Sequence, residues 1–153
     1  MSDQRLVLPE LELKDQDGVG CTLRSLIGEK GLVVYFYPRD NTPGCTTEAV
    51  DFTALREEFA ALGYRIVGIS RDSVPSHARF RDKHDLNITL LSDPDGVACQ
   101  AFGVWQEKRN YGKTSMGIVR STFVVDSNGL VRKIYSPVQV RDHARTVLAD
   151  LPR

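Results

Sequence analysis

The chain has 153 residues, enough for one domain with a substantial hydrophobic core, and we expect no second domain. Its 20 basic and 20 acidic side chains cancel, so no net charge is available to attract nucleic acid or an anionic membrane. The apolar run Leu6–Leu8 is too short for the core of a signal peptide, and no later segment approaches membrane-spanning length. These features predict a cytoplasmic protein that acts on a small molecule.

The first elements in chain order are two strands. A short hairpin strand is expected around Cys21, and a stronger strand over Leu32–Tyr37. The second segment is a continuous run of apolar, β-branched and aromatic residues, which is typical of a strand buried on both faces. It is therefore predicted to be central in a sheet.

A helix is predicted directly after this strand. Turn-forming residues lead to Thr42 and Pro43, which indicate an N-cap followed by proline at the first helical position. Apolar residues at helical spacing extend the helix to Leu62, and Gly63 is a suitable C-cap. Cys45 is therefore expected in the first turn.

The rest of the chain alternates strand and helix patterns and ends with a hairpin and a helix. The predicted elements are a strand at Arg65–Ser70, a helix at Pro75–His84, a strand at Ile88–Leu91, a short helix at Val97–Phe102, a hairpin of Ser121–Asp126 with Leu130–Tyr135, and a helix at Arg141–Leu151. Parallel crossovers combined with an antiparallel hairpin predict a mixed β-sheet flanked by helices. This α/β layout suits a thioredoxin-like fold.

The cysteines and histidines show no metal-binding pattern. The three cysteines, an odd number without C-x-x-C or zinc spacing, argue against a disulfide framework: Cys21, Cys45 and Cys99. The three histidines are isolated in sequence and are expected to be solvated helix residues: His77, His84 and His143. Trp105 and Tyr111 are expected to be packing residues. No metal or cofactor is predicted.

Cys45 is the candidate nucleophile of the chain. A thiol reacts as the thiolate, and the free N–H groups and dipole at a helix N-terminus stabilise that anion. Thiol exchange by a C-x-x-C pair is excluded, because Thr42 and Glu48 occupy the positions three residues away. The Thr42 hydroxyl can instead donate and accept hydrogen bonds near the thiol.

These residues match a family pattern. Pro38, Thr42 and Cys45 stand in the spacing Pro-x-x-x-Thr-x-x-Cys, and the whole segment Tyr35–Glu48 closely resembles peroxiredoxins of the bacterioferritin comigratory protein, or PrxQ, group. The resemblance covers nearly the whole chain and includes Ser92–Gly96, Tyr111–Lys113 and Gly117–Asp126. It implies a thiol-dependent peroxidase that reduces hydrogen peroxide and organic hydroperoxides.

The resemblance also implies a role for each site residue. Cys45 is the peroxidatic cysteine that becomes a sulfenic acid, Thr42 binds the peroxide, and Pro38 shields the thiolate from water. Arg120 brings a guanidinium to the thiolate and the peroxide, and its charge and planar donors suit that task. Glu48 is a possible supporting residue, although a first-turn glutamate also simply suits the helix dipole. Taken singly each residue has a structural explanation, whereas the joint spacing favours the functional one.

The chain departs from the group at the resolving cysteine. Members commonly carry it five residues after the peroxidatic cysteine or on the following helix, where this sequence has Val50 and Phe80–Lys83. Cys99 or Cys21 could serve instead, and both could equally be buried structural thiols. We favour an external reductant, namely thioredoxin, glutaredoxin or a small thiol such as glutathione, attacking Cys45 directly.

Two further questions stay open at the level of sequence. The alternative function is a peroxide-sensing protein in which oxidation of Cys45 is a signal, and turnover with a thiol reductant would distinguish it from an enzyme. The resemblance favours a monomer, with a homodimer as the alternative.

Overall fold

The architecture is organised around one strand, β3 (Gly31–Phe36), whose six residues are all buried. The computed structural model describes residues 7–152, apart from the side chain of Asn110. The segment considered above as a possible signal peptide therefore lies partly outside the described residues, at residues 1–6. β3 pairs in parallel with β4 (Tyr64–Ser70) and antiparallel with β8 (Ser121–Asp126). The predicted central strand is confirmed.

Seven strands form one mixed sheet. The remaining members are β1 (Glu12–Asp15), β2 (Gly20–Thr22), β5 (Thr89–Ser92) and β9 (Val131–Tyr135), and the order across the sheet is β2-β1-β5-β4-β3-β8-β9. β4 and β5 are parallel, whereas β1 and β9 join antiparallel. A separate hairpin consists of β6 (Trp105–Asn110) and β7 (Lys113–Ile118). The predicted mixed sheet and the early hairpin strand at Cys21 are confirmed, while the β6–β7 hairpin was not predicted.

The helices lie close to their predicted positions. They are α1 (Pro43–Ala54), α2 (Arg56–Ala61), α3 (Val74–His84), α4 (Val97–Ala101) and α5 (His143–Asp150), with a 3-10 turn at Arg24–Leu26. One prediction is wrong: the helix expected to run to Leu62 is interrupted at Leu55, whose φ of −99° and ψ of 3° depart from helical geometry. No helix in the described part of the chain is long and apolar enough to cross a membrane.

Alternate side chains of β3 enter two separate apolar cores. Val33 and Tyr35 point to one side, which we call the Cys45 face because Cys45 packs there with residues of α1, α3 and α5. Leu32, Val34 and Phe36 point to the opposite side, which we call the Cys99 face because it contains Cys99 of α4. The sheet therefore lies between these two cysteines.

The expectation for the histidines is wrong at two of three positions. His77 is fully buried and His143 nearly so, whereas His84 is half-buried. The His77 ring lies 2.7 Å from a carboxylate oxygen of Asp40, and His143 Nε2 lies 2.8 Å from the Thr122 hydroxyl. Burial, followed by the charge of Arg120, lowers the pKa of His143 to about 4. Polar partners far away in sequence allow both rings to be buried.

The two aromatic residues expected to pack behave differently. Trp105 is half-buried and packs against the Cys99 face, whereas Tyr111 is fully exposed. Tyr111 has a φ of +52° and forms the turn between β6 and β7 with Gly112, whose φ is +77°. The packing expectation is wrong for Tyr111 because the residue belongs to a hairpin turn.

Candidate active site

Cys45 lies in the first turn of α1. Thr42 is the N-cap in an extended conformation, and Pro43, whose φ is preset for a helix, follows it. The first helical hydrogen bond runs from the Thr46 N–H to the Thr42 carbonyl at 2.9 Å. Cys45 is only 1% exposed, and no side chain caps this helix end. The first-turn N–H groups are therefore available to stabilise an anion at the sulfur.

The Thr42 side chain does not accept a hydrogen bond from the first turn of α1, as an N-cap side chain ordinarily does. Its hydroxyl donates a hydrogen bond of 2.9 Å to the Arg39 carbonyl, across a turn in which Asn41 has a φ of +64°. Because the hydroxyl proton is used in this bond, the oxygen keeps its lone pairs for an incoming donor. Thr42 is half-buried, so a small molecule beside Cys45 can reach it.

Arg120 joins Cys45 to a buried carboxylate. It lies between β7 and β8, and one arm of its guanidinium, Nη2, donates to Cys45 Sγ at 3.4 Å. The other arm, Nη1, donates to Glu48 Oε1 at 2.6 Å. Gly44 makes this approach possible, since a Cβ there would lie 3.3 Å from Arg120 Nη2. The planar guanidinium can thus hold a carboxylate and a sulfur anion together.

Burial dominates the electrostatics of Glu48. Its side chain is fully buried, and this burial raises its pKa from 4.5 to about 7 although Arg120 acts in the opposite direction. Its second oxygen has no hydrogen-bond partner among the described residues. Burial also disfavours the charge of Arg120, but the negative charges of Glu48 and Cys45 outweigh it and raise the arginine pKa. The arginine therefore remains a cation beside the thiol.

A cleft of about 510 Å³ opens beside this group. Pro38 and Thr42 line one side, and the unpredicted β6–β7 hairpin supplies the other side with Trp105, Lys108, Met116, Gly117 and Ile118. Pro38 is itself exposed at the rim, two residues after the end of β3. Because Thr42 is both a lining residue and the N-cap of α1, the cleft lies next to the first turn that carries Cys45.

A buried polar network anchors the segment between β3 and α1 to α3. Asp40 accepts hydrogen bonds from the Tyr37 hydroxyl at 2.6 Å and the Ser76 hydroxyl at 2.8 Å, besides its contact with His77. Its backbone N–H donates to Asp72 Oδ2 at 2.8 Å. Asp40, Asp72 and His77 offer potential metal ligands within 4.8 Å of one another. These groups already have protein partners, so we interpret the cluster as structural.

The other two cysteines lie away from this site. Cys99 is fully buried on the Cys99 face, and Cys21 packs against that same face. Burial, together with the carboxylate of Asp93, raises the pKa of the Cys99 thiol far above its usual value. Burial and the acidic neighbour Asp15 raise the pKa of Cys21. Both thiols are thus poor nucleophiles at neutral pH.

The structure brings together the five residues that the sequence singled out: Pro38, Thr42, Cys45, Glu48 and Arg120. The possible resolving cysteine, Cys99, is not among them. Gly44 and Lys108 also belong to the site but were not identified from sequence as site residues. Gly44 gave only a turn signal, and Lys108 depends on a hairpin that went unrecognised.

Comparison with known proteins gives a consistent result. Residues 6–134 match the AhpC/TSA family. The chain is 46% identical over 143 residues to peroxiredoxin Bcp of Bacillus subtilis, covering 94% of this chain and 90% of that protein. It is 47% identical over 155 residues to peroxiredoxin Bcp of Xanthomonas campestris, covering 99% of this chain and 96% of that protein.

Solved structures agree in fold. A structure of the X. campestris bacterioferritin comigratory protein, described in connection with alkyl peroxide reduction, superposes with a TM-score of 0.87 at 45% identity and covers 94% of this chain and 95% of that one. A structure of X. campestris peroxiredoxin Q gives a TM-score of 0.87 at 46% identity, with 95% of each chain covered. The predicted thioredoxin-like fold is confirmed.

Proposed function

The chain belongs to the AhpC/TSA family as a peroxiredoxin of the Bcp/PrxQ group, a thiol-dependent peroxidase, and from this premise we propose that Cys45 is its peroxidatic cysteine. The observation that carries the proposal is the contact of 3.4 Å between Arg120 Nη2 and Cys45 Sγ in the first turn of α1. A cation and free helix N–H groups together stabilise the thiolate, which is the reactive form.

The same geometry supports a mechanism for attack on the peroxide. The Cys45 thiolate attacks the distal peroxide oxygen, the O–O bond breaks, and its electron pair leaves with the second oxygen, which takes up a proton. Thr42 accepts the O–H hydrogen bond of the bound peroxide, and Arg120 stabilises the charge that develops on the leaving oxygen. Pro38, with no N–H donor, reduces access of water to the sulfur. Cys45 becomes a sulfenic acid.

The proposed substrates are hydrogen peroxide and alkyl hydroperoxides. The volume of the cleft, about 510 Å³, and its walls of Trp105, Met116 and Ile118 suit an alkyl chain better than hydrogen peroxide alone. Glu48 positions Arg120 through the 2.6 Å ion pair, and so acts through the arginine rather than on the peroxide.

An external thiol is the proposed reductant: thioredoxin, glutaredoxin or a small thiol. The position of Cys99 and Cys21 on the opposite face of the sheet supports this one-cysteine reaction. We also propose that the chain is a single domain that acts as a cytoplasmic monomer, a homodimer being the alternative that light scattering in solution would reveal.

The assignment is tested by replacing each cysteine with serine and measuring peroxide consumption with a thiol reductant. Cys45→Ser should abolish turnover, because the hydroxyl of serine is far less nucleophilic than a thiolate. Cys99→Ser, as the matched control, should keep it. Circular dichroism should show that both variants are folded. Turnover by Cys45→Ser would disprove the role of Cys45.

A further inference from the structure

The cleft beside Cys45 has an excess of positive charge. Three cations line it, Arg39, Arg71 and Lys108, against one carboxylate, Asp72. One oxygen of that carboxylate already accepts hydrogen bonds from a backbone N–H at 2.8 Å and a serine hydroxyl at 2.7 Å. Low-dielectric walls concentrate the field of such cations within a cleft. The cleft should therefore attract an anion.

Lys108 is a half-buried cation in the wall of the cleft. No carboxylate of the described residues lies within 4.0 Å of its ammonium. Burial and the charge of Arg120 lower the pKa of Lys108, and the charge of Cys45 acts in the opposite direction, so Lys108 interacts electrostatically with both groups. Gly117 leaves room for the lysine stem, since a Cβ there would lie 3.1 Å from Lys108 Cδ.

The other two cations differ in how firmly they are held. Arg71 donates twice to the Pro94 carbonyl, at 3.3 and 2.9 Å, and its guanidinium carbon lies 4.5 Å above the Trp105 ring. Arg71 is therefore fixed as part of the wall. Arg39 is exposed at the rim and has no ion pair among the described residues. Lys108 and Arg39 thus remain available to an incoming anion.

The anion that the cleft attracts can be inferred from the reaction step that follows the oxidation of Cys45. Oxidation converts the Cys45 thiolate into a neutral sulfenic acid and so removes one of the two negative charges beside Arg120, while the ion pair with Glu48 remains. The cleft is therefore most positive when a reductant must enter. The thiols of Cys99 and Cys21 lie across the sheet, so the attacking sulfur belongs to an external thiol, and the cleft next to Thr42 gives that thiol a route to the site. Building on the proposed function, we propose that Lys108 and Arg39 recruit a small thiol that carries a carboxylate group.

The chemistry of this step balances without a further oxidant. The thiolate sulfur of the reductant attacks the Cys45 sulfur, the S–O bond breaks, and the hydroxide that leaves takes up one proton to become water. This gives a mixed disulfide between Cys45 and the reductant. A second molecule of the same thiol attacks the reductant's sulfur in that bond, which releases a small disulfide and restores the Cys45 thiolate.

The test measures the reductive half-reaction with a series of thiols that differ in charge. The protein is first oxidised with one equivalent of hydrogen peroxide and then mixed with 3-mercaptopropionate, 2-mercaptoethanol or cysteamine. Formation of the mixed disulfide is followed by the fluorescence of Trp105, the only tryptophan, and by mass spectrometry. For each thiol, the ratio of the wild-type rate to the variant rate cancels the reactivity of the thiol itself.

Lys108→Glu should slow 3-mercaptopropionate about tenfold more than 2-mercaptoethanol and should accelerate cysteamine, because the charge that attracts the anion is reversed. Lys108→Met should show the same order with a smaller effect. The matched control is Lys113→Glu, at an exposed position on the same hairpin outside the cleft, for which the three ratios should agree. High salt should reduce the preference of the wild-type protein for 3-mercaptopropionate, a measurement that does not depend on any variant.

Equal ratios for the three thiols in the Lys108 variants, with no effect of salt on the wild type, would overturn this inference and leave the proposed function intact. Failure of hydrogen peroxide to oxidise Cys45 would overturn the proposed function, and the inference with it. The two failures are distinguishable, because the mass of the oxidised protein is measured before any thiol is added.

Discussion

At the residue scale, the reactivity of the Cys45 thiol depends on how closely the Arg120 guanidinium approaches it. Gly44 has no side chain between them, and a Cβ at that position would lie 3.3 Å from Arg120 Nη2. Gly44→Ala should displace the guanidinium by a few tenths of an ångström and lower the rate of Cys45 oxidation by about tenfold. Stopped-flow oxidation by hydrogen peroxide measures this rate. Thr47→Ala, at an exposed position of the same helix, is the control, and equal rates in the two variants would contradict the expectation.

The buried carboxyl of Glu48 should make stability depend on pH. Its pKa is about 7 in the folded protein, against 4.5 for an ordinary glutamate, and burial is the cause. Between these values the folded state binds more protons than the unfolded state, so ionisation of Glu48 lowers the free energy of unfolding as pH rises. The loss should be on the order of 1–3 kcal/mol, complete above about pH 7. The Glu48→Gln variant should not show this loss of stability as pH rises.

The measurement must compare the variant with the wild type, because His143 acts in the opposite direction. The pKa of His143 is lowered from 6.5 to about 4, so its contribution to stability is lost as pH falls through that range. Urea unfolding at several pH values between 4.5 and 8 should show Glu48→Gln gaining stability relative to wild type as pH rises. A difference that does not vary with pH would show that Glu48 is not titrating in this range.

Only some residues of the site could be identified from the sequence. Cys45 and Thr42 were placed by local signals, an N-cap and a proline at a helix start, and these need no knowledge of the fold. The pairing of Glu48 with Arg120 joins residues 72 positions apart, so only the family resemblance brought Arg120 to the site. Lys108 had neither signal, because a lysine in a polar segment is ordinarily a solvated residue.

At the scale of elements, α3 holds the segment that precedes Cys45. His77 of α3 contacts Asp40 at 2.7 Å, and both side chains are almost fully buried. His77→Ala should leave the Asp40 carboxyl buried without this partner and lower the free energy of unfolding by about 2–4 kcal/mol. Urea unfolding is the measurement. His84→Ala, on the same helix, should cost less than about 1 kcal/mol because its hydrogen bond to Asn41 is exposed.

Buried strands could be predicted from the sequence, because burial requires a recognisable run of apolar residues. Exposed polar strands show no such pattern and were missed. β3 was recognised because all of its residues are apolar or aromatic and buried. β6 and β7 form a hairpin that is largely exposed and polar, so no alternation of apolar residues marks them. The pair Tyr111–Gly112, both with positive φ, is the turn signal that could have identified it. The interruption at Leu55 has no proline or glycine to indicate it.

At the scale of the whole molecule, the sheet decides which cysteines can meet. Nothing in the order of strands and helices along the chain states which side of the sheet each helix covers, so Cys99 could be considered as a resolving residue from sequence alone. The structure places Cys45 in one apolar core and Cys99 in the other, with β3 and its neighbours between them. A disulfide needs Cα atoms roughly 4.4–6.8 Å apart, and a sheet between two residues prevents that approach.

The whole-molecule prediction is that peroxide produces no disulfide within the chain. One equivalent of hydrogen peroxide should give a sulfenic acid at Cys45 that a dimedone-type reagent captures, and further peroxide should convert it to sulfinic acid. Peptide mapping of the oxidised protein should find Cys21 and Cys99 as free thiols, because both are held on the opposite face of the sheet and burial raises the pKa of each. The double variant Cys21→Ser/Cys99→Ser should turn over with an external thiol at the wild-type rate. A Cys45–Cys99 disulfide, together with loss of thioredoxin-dependent turnover in Cys99→Ser, would instead require α1 and α4 to unfold during the cycle and would establish a two-cysteine mechanism.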